Sequence, residues 1–404
     1  MTKYIHLVLW LLATLTLSAQ EGFRFINEHE NQVTIPIEVH NNLILIDISI
    51  NGSFPFKFIL DTGVRTTLLT EPVLTGFFAM QATTPIRVLG LGDGEVIYAK
   101  RASGLVMQCG DIVGQDMQMV ILPEGAASYS GMFGRPIAGI IGYDFFKNFV
   151  VEIHYGQKYL KLHRPEDYKP RRNDAVFPIT LMNKKPYVLA RIQAHDGSEV
   201  YTQWLIDTGA SQALAIYHEA IPIPNKTLNA FIGRGLSGDM FGKIGRVDRF
   251  KIGDYVFEDV ITGYPDSSSI RWVMRGDSTY ANLGAEILSR FRVTVDYTHH
   301  KLYLRKNSRF KNPFLYNTAG LEAIAKSPNY DRFEIVYVRP GSPAEKAGIQ
   351  IGDLLLSVNG VETSSLDLGE VHVLINREPG RIVRLKLLRE DQKIKKVFRI
   401  EGEI

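Results

Sequence analysis

The tripeptide Asp-Thr-Gly occurs twice, at Asp61-Thr62-Gly63 and Asp207-Thr208-Gly209, each time in the same surroundings. Each copy ends an apolar stretch, Phe58-Ile59-Leu60 or Trp204-Leu205-Ile206, and precedes another, Thr67-Leu68-Leu69 or Ala213-Leu214-Ala215. Upstream of each lies a hairpin signal: residues 43–50 and 54–60 around Asn51-Gly52, and 188–195 and 199–206 around Asp196-Gly197. Downstream, Gly142-Tyr143-Asp144-Phe145-Phe146 and Gly284-Ala285-Glu286-Ile287-Leu288 open a second repeated stretch. Phe149 matches Phe291, Val151 matches Val293, Tyr155 matches Tyr297, Leu160 matches Leu302 and Leu162 matches Leu304, all without a gap. In each copy a short helix is predicted to lead into two strands. An internal repeat of this kind restricts the chain to two similar lobes. They are expected at residues 20–164 and 174–306, mainly β, with a polar linker at 165–173.

A carboxylate between two apolar strands is not placed for solvation. Glycine lets the backbone turn tightly beside it, and threonine offers a hydroxyl that can reach the other lobe. One copy alone reads as a β-turn, because Asp and Gly are ordinary turn residues. Two copies in matching contexts point to a pair, Asp61 and Asp207. Carboxylates about 3 Å apart cannot both ionise, so they share a proton. One member can then draw a proton from water while the other donates to a carbonyl, and the pair titrates as a unit. Thr62 and Thr208 are expected to brace the two loops, and Gly63 and Gly209 to set their turns.

On these residues the sequence resembles the aspartic protease superfamily, in particular its retropepsin-like branch, over about residues 44–304. An apolar-apolar-Gly element late in each lobe adds to the likeness: Ile140-Ile141-Gly142, and Asn282-Leu283-Gly284, where Asn282 departs from the pattern. Val64-Arg65 after the first glycine is a second departure. Arg65 is expected to bind a substrate carboxylate or carbonyl, or to make a structural ion pair. The resemblance implies two β-barrel lobes, an Asp61–Asp207 dyad, peptide-bond hydrolysis and no metal or organic cofactor. It also implies flaps over the substrate. Residues 85–98, with the tip Leu91-Gly92-Asp93-Gly94, and residues 229–241 are the candidates; ordinary exposed hairpins are the alternative. A flap in each lobe suggests the retroviral-type arrangement rather than the single flap of the pepsin type. Gly233-Arg234-Gly235-Leu236-Ser237-Gly238 has dinucleotide-site spacing, but no helix follows it.

Residues 314–404 contain no third Asp-Thr-Gly. Val338-Arg339-Pro340-Gly341-Ser342-Pro343-Ala344-Glu345-Lys346-Ala347-Gly348 and Gly352-Asp353-Leu354-Leu355-Leu356-Ser357-Val358-Asn359-Gly360 resemble a bacterial PDZ domain, a small α+β unit. The resemblance implies that Ala319-Gly320-Leu321-Glu322 forms the carboxylate-binding loop and the strand after it, and that an extended C-terminal peptide is the ligand. A domain that only packs against the lobes is the alternative. The polar stretch 307–312 and Pro313 read as a boundary that few core contacts cross.

Charge is nearly balanced, at a formal +3 over 404 residues, with no long basic run, so no nucleic-acid partner is expected. Cys109 is the sole cysteine, which excludes an intramolecular disulfide and a Cys-rich zinc site. It is expected to be a small buried residue rather than a catalytic thiol. His299-His300 falls in an expected turn and suggests no metal. Lys3, the apolar run over residues 5–17 and the small residues Ser18 and Ala19 have the layout of a secretory signal peptide at 1–19. The expected mature protein lies outside the cytoplasm, periplasmic or extracellular, without a membrane span unless that segment is retained. Three functional readings stand at this point. One is an exported monomeric aspartic endopeptidase, one an inactive peptide-binding scaffold of the same fold, and one a lobe pair that works only as an obligate dimer.

Overall fold

The computed structural model describes residues 22–80, 82–126, 128–194, 196–218, 221–271 and 281–404. The expected leader at 1–19 and His195, at the end of an expected strand, lie outside these residues. The architecture is mainly β, as expected. Strands Leu43–Ile50 and Phe56–Leu60 form the first hairpin, with Asn51 and Gly52 at φ 50° and 78°, as a tight two-residue turn requires. The second strand starts at Phe56 rather than Phe54, because Pro55 has no N–H to give the ladder. The matching hairpin of the second lobe is Lys185–Gln193 with Glu199–Asp207.

The lobes meet in a shared sheet. Val150–His154 pairs antiparallel with Phe291–Asp296, placing Val151 opposite Val295, Glu152 opposite Thr294 and Ile153 opposite Val293. The repeated positions thus exchange partners across the seam, and a pseudo-twofold axis passes between Glu152 and Thr294. The outer strands repeat the arrangement: Tyr159–His163 pairs with Gln32–Pro36, and Lys301–Lys306 pairs with Ala175–Met182. The helices Tyr143–Phe146 and Ala285–Leu288 precede the two halves of the seam. One apolar core runs through both lobes and includes Phe145, Ile153, Trp204 and Val295.

Glu152 is buried at this axis. His154 Nε2 lies 2.6 Å from Glu152 Oε1 and His163 Nε2 lies 3.4 Å from Glu152 Oε2, with the guanidinium of Arg292 at 3.5 Å. Burial works to raise the carboxyl, but these partners together hold it far below the usual range. Arg171 of the linker also reaches it, at 3.4 Å.

The third unit has its own sheet, ordered Leu321–Ala325, Phe333–Val338, Leu354–Val358, Ile382–Arg389 and Gln392–Arg399, with Val361–Glu362 beside the third. Leu368–Ile375 is its longest helix and begins with a capping box between Asp367 and Glu370. Ser342 caps Pro343–Lys346 by accepting the Glu345 N–H at 3.2 Å. This unit has a separate core that includes Leu321, Ile335, Val371 and Leu385.

The stretch before this unit is not a loose boundary. Phe310 and Phe314 pack among Phe257 and Phe291 of the second lobe. The Arg290 guanidinium lies 3.7 Å from the Phe314 ring centre and donates to the Asn312 and Pro313 carbonyls. The aromatic rings set among polar residues anchor a segment whose composition reads as solvated.

Candidate active site

Each Asp-Thr-Gly loop is held from behind by the same crossing of strands. Phe56–Leu60 runs parallel to Gly139–Ile141, and the Asp61 N–H donates to the Ile141 carbonyl at 2.8 Å. In the second lobe Asp207 lies in parallel register with Gly284. A Cβ at Gly142 would stand 2.3 Å from both the Asp61 and Val64 carbonyl oxygens, and one at Gly284 would stand 2.0 Å from the Gln212 oxygen. Only glycine lets these strands press so closely on the loops.

The threonines tie the lobes together. The Thr62 N–H donates to Thr208 Oγ1 at 3.0 Å, and the Thr208 N–H donates to Thr62 Oγ1 at 3.0 Å. The hydroxyls donate onward, Thr62 to the Ile206 carbonyl at 2.6 Å and Thr208 to the Leu60 carbonyl at 2.9 Å. Both threonines are fully buried. The position of one loop therefore fixes the other.

Above this brace the two carboxyls come together. The Gly63 N–H donates to Asp61 Oδ1 at 2.6 Å, and the Gly209 N–H to Asp207 Oδ1 at 3.0 Å. Burial raises Asp61, opposed by the Gly63 N–H and by a hydrogen bond with Asp207. Asp207 is raised well above the usual range, first by burial and next by the charge of Asp61. Lys185 pulls both back down. The pair therefore keeps a proton at pH values where isolated carboxylates have lost theirs.

Asn282 donates from Nδ2 to Asp207 Oδ2, and its Oδ1 is buried with no partner among the described residues. The counterpart of Asn282 in the first lobe is Ile140. The strand start occupied by Lys185 corresponds to that of Leu43 in the first lobe. All four line one cleft of about 510 Å³ that also contains Asp61 and Asp207. Both walls are mixed, but at the equivalent positions beside the pair they differ: Leu43 and Ile140 in the first lobe are apolar, where Lys185 and Asn282 in the second are polar. Arg65 is exposed and also lines the cleft.

Two hairpins roof the cleft. The first is Ala82–Val88 with Ile97–Cys109; the second is Thr227–Gly235 with Gly238–Ile252. Their tips bond to each other. The Gly94 N–H donates to the Ser237 carbonyl at 2.6 Å, and the Ser237 N–H to the Leu91 carbonyl at 2.9 Å. Asp93 N–H meets the Asp239 carbonyl at 3.1 Å, and Gly92 N–H meets the Ser269 carbonyl at 2.8 Å. A Cβ at Gly92, which has φ 125°, would lie 2.5 Å from the Gly238 nitrogen. The tip glycines thus serve close approach of one hairpin backbone to the other. The Gly-x-Gly-x-x-Gly run from Gly233 to Gly238 lies at the turn of the second hairpin, with no helix after it.

The remaining singled-out residues fall elsewhere. Ala319 and Leu321 are buried in the third unit, and Glu322 is half-buried there. Gly320, at φ 77°, packs so tightly on Ser342 that a Cβ would stand 2.2 Å from the serine Cβ. The Gly320 N–H donates to Asn317 Oδ1 at 2.8 Å. Cys109 is buried, and burial pushes its thiol up to about 12. His299 sits in the turn after Phe291–Asp296 and bonds Asp296 at 2.8 Å. Among the described residues no group of three or more His, Cys, Asp or Glu is placed to hold a metal, and no helix is long and apolar enough to cross a membrane. Lys185 was not singled out from sequence, although its place opposite Leu43 in the repeat marks it.

Residues 46–145 match the family model described as aspartyl protease, and residues 334–389 match that described as PDZ domain. A carboxyl-terminal-processing protease from Picosynechococcus sp. is 36% identical over 66 residues, and the match spans only 16% of that relative's length. An aspartic proteinase from Irpex lacteus aligns with 70% of this chain and 99% of its own, at 14% identity and a TM-score of 0.42. A photosystem II D1 C-terminal processing protease aligns with 22% of this chain and 24% of its own, at 26% identity and a TM-score of 0.20. Residues 46–145 thus form an aspartyl protease domain and residues 334–389 lie in a PDZ domain. The chain thus carries two Asp-Thr-Gly lobes, the first of them within the aspartyl protease match, followed by a PDZ domain.

Proposed function

We propose that the chain is an exported aspartic-type endopeptidase in which Asp61 and Asp207 activate a water against a peptide bond. One observation carries the reading: two carboxyls from repeated loops meet at the floor of a closed cleft, both raised by burial. The ionised member takes a proton from water as the water oxygen bonds to the scissile carbonyl carbon. The protonated member gives its proton to the carbonyl oxygen, and a tetrahedral diol forms. Collapse of the diol breaks the carbon–nitrogen bond, and the amine leaves with a returned proton. No bond to the protein and no cofactor is called for. Thr62 and Thr208 hold the loops in register, and Gly63 and Gly209 supply N–H groups to the carboxylates. Both aspartates are in one chain, so a monomer suffices. Export follows from the layout of Lys3, residues 5–17 and Ala19. The PDZ domain takes an extended peptide along Leu321–Ala325, with Ala319 to Glu322 nearest its carboxylate.

The scaffold reading has one observation in its favour, the field of Lys185 on both carboxyls. A cation that kept both ionised would remove the acid from the reaction. Incubation with a denatured protein across about pH 3 to 8, with products read by mass spectrometry, decides between the two readings. Asp61→Asn and Asp207→Asn are each expected to abolish cleavage while the protein stays folded. Near-normal turnover by either variant refutes the dyad, and an inert wild type favours the scaffold.

A further inference from the structure

The PDZ domain does not stand clear of the lobes. Leu321–Ala325 is the end strand of its sheet, and helix Leu368–Ile375 lies beside it. An extended ligand would add at that free edge. In this structure the first lobe covers part of it. Helix Ser130–Phe133 lies against Leu321–Ala325 and Leu368–Ile375. A Cβ at Gly131 would stand 3.1 Å from the Ala325 carbonyl oxygen and 3.7 Å from Ile324 Cβ. One at Gly134, the left-handed residue closing the helix, would stand 3.3 Å from Leu368 Cβ. His372 Nε2 lies 3.3 Å from the Ala323 carbonyl oxygen, bridging the same groove. A ligand strand running as far as Ala325 and this helix cannot occupy the place together.

The same short helix is a wall of the catalytic cleft. Tyr129, Met132 and Phe133 line it, and Tyr129 is buried close enough to feel the charge of Asp61. The PDZ domain also holds the second flap. The Tyr337 ring lies 6.2 Å from Phe231 and 5.9 Å from Phe241, one on each strand of that hairpin. Arg234, near the flap tip, donates to the Ser128 carbonyl at 3.5 Å, just before the wall helix. Wall, flap and PDZ groove therefore form one contact system. The flap tips are bonded to each other over the cleft.

We propose that Ser130–Phe133 is a latch seated at the PDZ groove, and that an extended peptide pairing with Leu321–Ala325 displaces it and opens the cleft. The proposal rests on the reading of the groove as a peptide site and of the cleft as catalytic. It makes the PDZ ligand an activator rather than only the substrate in transit. The energetic requirement is modest, because a ligand shifts such an equilibrium by its differential affinity for the two states.

A reversible cross-link tests it on the full chain. The 3.7 Å Cβ separation suits a disulfide, for which about 3.8 Å is usual, so the double variant Gly131→Cys/Ile324→Cys should lock the latch on oxidation. The native thiol of Cys109 is buried and stays out of the exchange. Cross-link formation is read by mass, and failure to form it in folded protein overturns the contact. Oxidation should lower kcat/KM for a short peptide about tenfold or more, with recovery on reduction. Equal rates in the two forms overturn the latch. Amide hydrogen exchange over residues 229–241 gives a readout independent of catalysis. It should slow on oxidation, and it should quicken when a pool of random decapeptides is added to the reduced form only. No response of the reduced form, or an equal response in both, overturns the proposal. A protein without peptidase activity that still shows this exchange pattern would sink the catalytic reading and leave the latch standing. Tyr337→Ala serves as a second variant without new thiols and should quicken exchange in the same residues; unchanged exchange counts against the coupling.

Discussion

The two glycines beside the dyad are equivalent in the repeat but not in the space around them. A Cβ at Gly209 would stand 2.2 Å from Asp61 Cγ and 2.3 Å from Asp61 Oδ2. Ordinary carbon contacts lie at about 3.5 to 4.0 Å, so the Asp61 carboxyl would have to retreat by more than about 1 Å. A Cβ at Gly63 would stand 3.0 Å from Asp61 Oδ1 and 3.3 Å from Asp207 Oδ1, which shifts of a few tenths of an ångström relieve. A misplacement of about 1 Å at reacting groups costs on the order of a hundredfold in rate. Gly209→Ala is therefore expected to lower kcat/KM about a hundredfold or more, ~2.7 kcal/mol of activation free energy. Gly63→Ala should stay within about tenfold of wild type on the same scale. The stability cost of either is that of local overpacking, about 1 to 3 kcal/mol, so both should fold. Peptide-cleavage kinetics paired with urea unfolding measures both quantities. Equal losses in the two variants, or an active Gly209→Ala protein, would refute the argument that the Asp61 carboxyl is confined by the opposite loop.

Two further outcomes follow from the charged groups. Glu152 is held below its unfolded value of about 4.3, so its contribution to stability is present above that pH and is lost as pH falls towards the folded value. Glu152→Gln should cost about 3 kcal/mol or more at neutral pH and flatten the acid side of the stability profile; a variant as stable and as acid-sensitive as wild type would refute this. Asn282 donates to Asp207 and so favours its ionised form. Asn282→Ile, which copies Ile140 of the first lobe, should move the alkaline limb of the activity profile up by about one pH unit, and an unmoved limb would count against that role.

Much of this site was legible because it is repeated. A duplicated strand–Asp-Thr-Gly–strand pattern implies two loops in equivalent places, and the second shared element, Gly142 and Gly284, implies what packs behind them. The hairpins over the cleft were legible through glycine at their tips. What the sequence could not convey is contact between elements far apart in the chain. Ser130 to Phe133 carries no periodic signal, and its place between cleft and PDZ groove arises only when three units pack together. Lys185 looks like any strand-opening lysine until the lobes are superposed in thought. Asn282 was visible as a departure, but its hydrogen bond depends on the exact approach of two parallel strands. The segment around Phe310 and Phe314 misled because polar residues outnumber the rings that anchor it.

The unlike walls of the cleft have a consequence for direction. Two identical lobes would offer a bound chain the same surroundings whichever way round it lay, so a sequence and its reversal would differ only through the polarity of the backbone. On the proposed function, a peptide laid across the two carboxyls would meet Leu43 and Ile140 on one side and Lys185 and Asn282 on the other. The residues before and after the scissile bond would then be distinguishable to the protein, and one orientation would be favoured over its opposite. Carrying both lobes on one polypeptide is what allows this, since each half can change without altering the other.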